Sequence, residues 1–292
     1  MAKQNVSKTP ASIGPFQRYQ KQPTTMVYGT YYDALMEVPF DSKKRHVRVW
    51  LPESYTFEDP KPHPVLYMAD GQNLVDRYLT KYGDWHLDQV VHALHEEGLP
   101  EPILVGIDSP KDGQKRSNEL NPPYPVRWWI RRGRGSPNHP IANVFIDFIA
   151  QTLKPLVDGL FATDTRLEAT GIGGSSMGGI MAFYAFLAYP EHFGYAHAFS
   201  PPFFFYTRKD LIRILKENNL DHNRQNRLFL YVGGKGFERK FTKDTVWMYN
   251  LLKECDFDDD QVALSVDPEA IHHEDPWSDH SLEAFRFWLS KI

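Results

Sequence analysis

A single cysteine, Cys255, in 292 residues excludes an intrachain disulfide and a thiolate zinc cluster. It follows a helix-like stretch at 246–254, the setting of a quiet thiol, so a cysteine hydrolase is not expected. No stretch offers eighteen uninterrupted apolar residues, and no membrane-spanning helix is expected. The N-terminal segment carries Lys3, Lys8, Arg18 and Lys21 without a continuous apolar core, which is not the pattern of a secretory leader. Charge of one sign is also missing: 33 Lys and Arg against 37 Asp and Glu leave a formal net charge of -4. That balance gives no global case for nucleic acid or a membrane as partner. Internal repeats and low-complexity tracts are lacking, and Asp258-Asp259-Asp260 is most simply a solvated turn. A soluble, cytoplasmic protein is the expectation.

The length suffices for one large core. Residues 1–25, polar and interrupted by Pro10, Gly14 and Pro23, predict a loose arm that Phe16 and Tyr19 can pin to the body. Residues 26–292 predict a single domain. Strands are expected at 27–38 and 46–51, separated by a turn at 40–44, and at Val65-Leu66-Tyr67-Met68, a buried strand ending in the loop Gly71-Gln72-Asn73. The helical spacing of Leu87, Val90, Val91 and Leu94 and a strand at 103–107 complete a β-α-β unit. Residues 109–139, proline-rich and weakly periodic, are long for a plain connection and predict a functional loop or lid. Pro140 opens a helix with the apolar stripe Ile141, Val144, Phe145, Phe148 and Ile149. Strands at 167–170, 195–199, 227–232 and 262–266 then alternate with helices at 180–189 and near 208–218, 242–254 and 279–290. Such alternation specifies an α/β fold with a mostly parallel sheet covered on both faces.

Within that pattern Gly174-Ser175-Ser176-Met177-Gly178 fits G-x-S-x-G, in which a sharp strand-to-helix turn projects one serine. Ser176 is the expected nucleophile. A phosphate-binding glycine loop is the alternative, but no Gly-Lys-Ser/Thr ending follows, and Ser176 stands where a dinucleotide fingerprint needs glycine. A serine hydroxyl needs a base, which in this fold order follows the nucleophile. His197, His222, His272, His273 and His280 qualify by position, and the cluster near 272 lies just past the last expected strand. A metal site at His272, His273, Glu274 and Asp275 lacks the His-Glu-x-x-His spacing, so no metal and no cofactor are expected.

Gly173-Gly174-Ser175-Ser176-Met177-Gly178-Gly179, Tyr189-Pro190-Glu191-His192-Phe193 and Phe199-Ser200-Pro201-Pro202 resemble blocks of the esterase D-like branch of the α/β-hydrolases. So do residues 65–73 and 103–108, and Arg116, Glu119 and Pro122; the resemblance runs from about residue 36 to the C-terminus. It implies an α/β-hydrolase fold and acyl transfer through serine. It selects His272 as base, because His272-His273-Glu274-Asp275-Pro276-Trp277 is similar to the family's His-x-Glu-x-x-Trp pattern.

The family's carboxylate commonly follows Gly-x-Lys directly, where this chain has Gly236. Glu238 is the candidate acid two residues later, Asp244 is the next, and a Ser-His dyad is a third possibility. The oxyanion is expected on the backbone N–H groups of Met177 and Gln72. Asp70 precedes the serine and is expected to shape the loop through its own hydrogen bonds. Ala69 replaces a histidine usual in the family. Asn73, Arg127, Trp128 and Trp129 are candidate substrate contacts, with Arg131, Arg132 and Arg134 nearby; the alternative is a solvated loop with its tryptophans packed inward. The expected activity is serine-dependent hydrolysis of a small-molecule carboxylic ester. An acyltransferase with the same nucleophile, or a binding module that has lost its acid, are the competing functions.

Overall fold

Ten strands form one sheet, in the order β1-β2-β3-β4-β6-β5-β7-β8-β9-β10, in a computed structural model that describes residues 9–20, 23–133, 135–218 and 225–292. The strands are β1 (Ser12–Ile13), β2 (Phe16–Arg18), β3 (Thr30–Val38), β4 (Asp41–Leu51), β5 (Val65–Ala69), β6 (Ile103–Ile107), β7 (Thr170–Ser175), β8 (Tyr195–Phe199), β9 (Arg227–Gly233) and β10 (Val262–Asp267). Pairing is antiparallel from β1 to β4 and between β4 and β6, and parallel from β6 through β10. The helices are α1 (Leu87–Glu96), α2 (Gly113–Leu120), α3 (Trp128–Arg131), α4 (Ala142–Phe148), α5 (Lys154–Leu160), α6 (Met177–Ala188), α7 (Arg208–Glu217), α8 (Arg239–Glu254) and α9 (Glu274–Leu289). This is the α/β-hydrolase architecture.

Side-chain alternation gives the sheet two apolar faces. Val65, Tyr67 and Ala69 of β5 join the core that includes α4 and α6, whereas Leu66 and Met68 join the core formed with α1 and α9. On β8, Ala196 and Ala198 face the first core, and Tyr195 and Phe199 the second. Helix α6 is apolar all round, from Ile180 to Leu187, and correspondingly buried along its length.

Three sequence expectations are corrected, and the 109–139 segment gains helices. Part of the N-terminal arm is not loose: β1 and β2 extend the sheet, Phe16 is fully buried, and its ring meets Phe161 edge-on at 5.8 Å. Lys3, Lys8 and Lys21 lie outside the described residues. The turn expected at 40–44 is strand from Asp41 onward, because its polar residues are paired: Arg45 reaches both Asp41 and Glu119 at 2.6 Å. The segment 109–139 contains α2, whose first N–H groups at Gln114 and Lys115 are capped by Asp112, and the short α3. Finally, residues 167–169 form a 3-10 turn, and the glycine-rich run itself is the strand β7. There Gly173 is required by close approach, since a Cβ would stand 2.2 Å from the His197 ring.

Helix boundaries move as well. A five-residue π turn, Ile149–Leu153, separates α4 from α5, and Pro155 follows at the start of α5. A widened turn accommodates the proline's missing N–H where a regular helix would break. Helix α9 starts at Glu274, earlier than its periodicity implies, capped by the His273 side chain accepting from Asp275 N at 3.2 Å.

Candidate active site

Strands β5, β7 and β8 are neighbours in the sheet, and each is followed at its C-terminal end by a non-glycine residue with positive φ: Asp70 (58°), Ser176 (53°) and Ser200 (48°). Such backbone conformations cost on the order of 1–3 kcal/mol each and persist where surrounding contacts over-determine them. Three on adjacent strand ends mark where this fold concentrates strain.

At β7 the strained residue is Ser176, not Ser175: Ser175 is the last strand residue and is buried, while Ser176 turns the chain into α6 with φ 53° and ψ -118°. The turn is held by Ser176 N donating to Phe199 O at 2.8 Å and by Ile180 N donating to Ser176 O at 3.1 Å. Its glycines are sterically required. A Cβ on Gly174 would lie 2.9 Å from the Gly178 backbone, and one on Gly179 would lie 2.5 Å from the Phe199 carbonyl oxygen. Met177 opens α6, so its N–H belongs to the helical first turn that lacks intrahelical acceptors.

The loop after β5 lies beside the β7 turn, because β5 and β7 are paired. Asp70 anchors it: its carboxylate accepts from Arg116 Nε at 2.7 Å, from Arg116 Nη2 at 2.6 Å and from Ser109 Oγ at 2.5 Å. Burial opposes ionisation of Asp70, but the Arg116 guanidinium and these hydrogen bonds outweigh it and hold the carboxyl below its ordinary range. Gln72 Oε1 accepts from Ser109 N at 2.9 Å. Asn73 is buried, and its Nδ2 donates at 3.1 Å to Glu274 Oε1, linking this loop to the start of α9. Burial raises the Glu274 carboxyl above its usual range.

His272 stands between β10 and α9. Its Nδ1 is hydrogen-bonded to Glu238 Oε2, and its ring stacks on Phe241 at 4.6 Å and meets Trp277 at 4.9 Å and Phe237 at 5.6 Å. Nε2 is thereby the ring nitrogen not engaged by Glu238. Glu238 is fully buried in the 3-10 turn Gly236–Glu238 after β9. Gly236 supplies the positive φ (61°) that lets the chain turn there, and the carboxylate returns to the strand end two residues beyond Gly236. Its other oxygen, Oε1, accepts from Gly233 N at 3.1 Å and from Ser200 Oγ. Asp244, the alternative acid, lies on α8 and pairs with Arg208 at 3.6 Å.

The structure therefore joins Glu238 to His272 directly, and both to the serine turn through consecutive residues: Phe199 holds Ser176 N and Ser200 holds Glu238. No hydrogen bond between Ser176 Oγ and His272 is present among the described residues; in unliganded enzymes this bond is often long and tightens with substrate. His273 caps α9, and His280 lies 3.3 Å from Asp267 Oδ2. His197 is interior to β8, and burial pulls it down to about 3, so it is neutral. His222 and Arg134 lie outside the described residues.

Of the two readings of the 127–134 stretch, inward packing of the tryptophans is the one that does not hold. Trp128 and Trp129 on α3 are 63% and 49% exposed, under Arg132 at 4.9 Å and Arg127 at 5.1 Å respectively. Arg127 in turn docks α3 on the segment after β8, its N donating to Phe205 O and its Nε to Tyr206 O, both at 2.8 Å. Cavities of about 210 and 360 Å³ lie elsewhere, the first against Tyr28, Trp50 and His92, the second against Tyr55 and Phe57; Ser176, Glu238 and His272 line neither. Sequence reasoning gave no role to Ser200, Trp277 or Glu274. The available signal was their place in Phe199-Ser200-Pro201-Pro202 and His-x-Glu-x-x-Trp.

Comparison with known proteins agrees with this architecture. The family model described as "Esterase: Putative esterase" matches residues 42–292. YbbA of Bacillus subtilis (strain 168) is 26% identical over 240 residues, 78% of this chain and 86% of that protein. The iron(III) enterobactin esterase of Escherichia coli (strain K12) is 27% identical over 153 residues, 52% of this chain but only 31% of that protein. The crystal structure of an IroE-like serine hydrolase from Shewanella oneidensis superposes with a TM-score of 0.68 at 20% identity, covering 89% of this chain and 80% of that one.

Proposed function

We infer the reaction from one premise: the chain belongs to the esterase family of α/β-hydrolase type, and it is an ester hydrolase. Ser176 is the nucleophile, His272 its base, and Glu238 the carboxylate that orients His272. As Ser176 Oγ bonds to the ester carbonyl carbon, His272 Nε2 takes its proton, and the negative charge developing on the carbonyl oxygen meets the N–H groups of Met177 and Gln72. Collapse breaks the ester C–O bond, and the imidazolium returns the proton to the departing alcohol. Water then attacks the acyl-serine by the same steps and releases the acid.

The observation that carries this mechanism is the hydrogen bond from His272 Nδ1 to a fully buried carboxylate, Glu238. That bond fixes the tautomer with Nε2 unprotonated and stabilises the imidazolium of each tetrahedral step. The substrate class is a small-molecule carboxylic ester. Siderophore esters come first for testing, because two relatives bear the names enterobactin esterase and triacetylfusarinine C esterase.

The test combines fluorophosphonate labelling, read by peptide mass spectrometry, with hydrolysis of nitrophenyl, feruloyl and catecholate siderophore esters. Label is expected on Ser176. Ser176→Ala is expected to lower kcat by about 10⁶-fold, while Ser175→Ala stays near wild type. Label on Ser175, or full turnover by Ser176→Ala, removes Ser176 from the mechanism.

A further inference from the structure

We propose that Ser200 and Trp277 are positioning residues for Glu238: together they form a directional hydrogen-bond relay that assigns one carboxylate oxygen to the scaffold and the other to His272. The inference rests on the triad reading above and adds to it two residues whose hydrogen bonds act on the carboxylate rather than on the bond being broken.

Donor and acceptor inventory fixes the direction of the relay. An indole N–H can only donate, and Trp277 Nε1 lies 3.0 Å from Ser200 Oγ, so it occupies a lone pair of that hydroxyl. An ionised carboxylate can only accept, so the Ser200 proton points at Glu238 Oε1. Gly233 N–H supplies a second donor to Oε1 at 3.1 Å, which leaves Oε2 for the Nδ1–H of His272. Glu238 and Ser200 have no solvent exposure and Trp277 is buried, so bulk water cannot replace a missing partner.

Backbone geometry points the same way. Ser200 is held at φ 48°, with its N donating to Tyr231 O at 2.7 Å, although a side chain is disfavoured in that conformation. Glycine would relax the turn but could not supply the hydroxyl. The relay also accounts for how Glu238 serves a loop where the carboxylate is displaced from its customary place: the site of attachment moves along the chain, and two donors at the strand ends hold the carboxylate in register with His272. Trp277 contributes twice, through its N–H on Ser200 and its ring against His272 at 4.9 Å.

A double-mutant cycle tests this, with Ser200→Gly as the backbone-compatible variant, Ser200→Ala beside it and Glu238→Gln as partner. Ser200→Gly is expected to lower kcat about 10- to 100-fold with KM unchanged, the loss of one hydrogen bond to a charged group. It should also move the acid limb of the kcat–pH profile upward, because a carboxylate stripped of a donor is more basic and holds a proton nearby more tightly. In the Glu238→Gln background the same change should have little further effect, since it acts only through that carboxylate. Trp277→Phe, which keeps the ring and removes the N–H, should show a smaller loss with the same non-additivity, and it decides the matter if both Ser200 variants fail to fold. Losses that multiply in the double mutant overturn the relay, as does wild-type kcat in Ser200→Gly while Glu238→Gln is impaired. Full activity in Glu238→Gln itself instead brings down the triad reading, and the relay with it.

Discussion

Two histidines C-terminal to Ser176 show how placement decides chemistry. His197 is interior to β8, fully buried, stacked 6.0 Å from Trp85 with Met68 Sδ 3.1 Å from its Nε2; its Nδ1 has no hydrogen-bond partner. His272 is on a loop, partly exposed, clamped by aromatic rings and bonded to Glu238. Both imidazoles are packed against aromatics, so apolar packing is not what separates them. Burial without a counter-charge holds His197 neutral throughout the physiological range, and it faces a glycine strand that leaves no room for a reactant. His272 has the buried carboxylate partner and the loop position that the proposed role as base requires.

The largest expected contrast is catalytic. His272→Gln should lower kcat by about 10⁵- to 10⁶-fold, as for loss of the base where a triad acts as a unit. His197→Phe should leave kcat within a few-fold of wild type in the same nitrophenyl ester assay. Equal losses in folded samples of both variants would erase the distinction.

A second measurement sharpens what makes His272 different. Glu238→Gln preserves size but removes the charge, and kcat should fall by up to ~10⁴-fold. Asp244→Asn, removing a carboxylate paired with Arg208, should be near neutral. The reverse order would transfer the acid role to α8.

The smallest effect is on stability and belongs to His197. Its folded-state value is depressed to about 3 by burial, against about 6.5 for a free histidine. Between those values the unfolded chain binds the extra proton, so the stabilising contribution is present above about 6.5 and lost as pH falls toward 3. His197→Phe should make the decline in stability on acidification shallower by up to ~1.4 kcal/mol per pH unit in that window. Urea titrations across the pH range measure it; parallel slopes for wild type and variant would show that another group titrates there.

Legibility in the sequence followed the range of the interactions. The turn from β7 into α6 was readable because its constraints are local: Gly174 and Gly178 meet each other across four positions, and the serine between them takes the strained φ. The α2 helix and the β2 strand were harder, since each is fixed by partners outside its own segment: Arg116 of α2 pairs with Asp70, and β2 takes its place between β1 and β3. Polarity without its partner in view resembles a loop. The exposure of the α3 tryptophans was open in the sequence for a related reason: stacking under Arg127 and Arg132 covers part of their faces without burying them.

The sequence by itself determined the fold class, the sharp strand-to-helix turn at Ser176 and the loop where His272 lies, because hydrophobic period, glycine placement and motif order are properties of contiguous residues. Tertiary structure alone decided which carboxylate meets His272, 34 residues from it in the chain, and what holds that carboxylate, with Ser200 38 residues from Glu238 and Trp277 77 residues from Ser200. Those contacts exist because the parallel order β7-β8-β9-β10 brings the C-terminal ends of its strands together, while the Gly236 turn gives Glu238 the reach to return to them. No short-range spacing encodes that convergence; it appears only when the strands are paired.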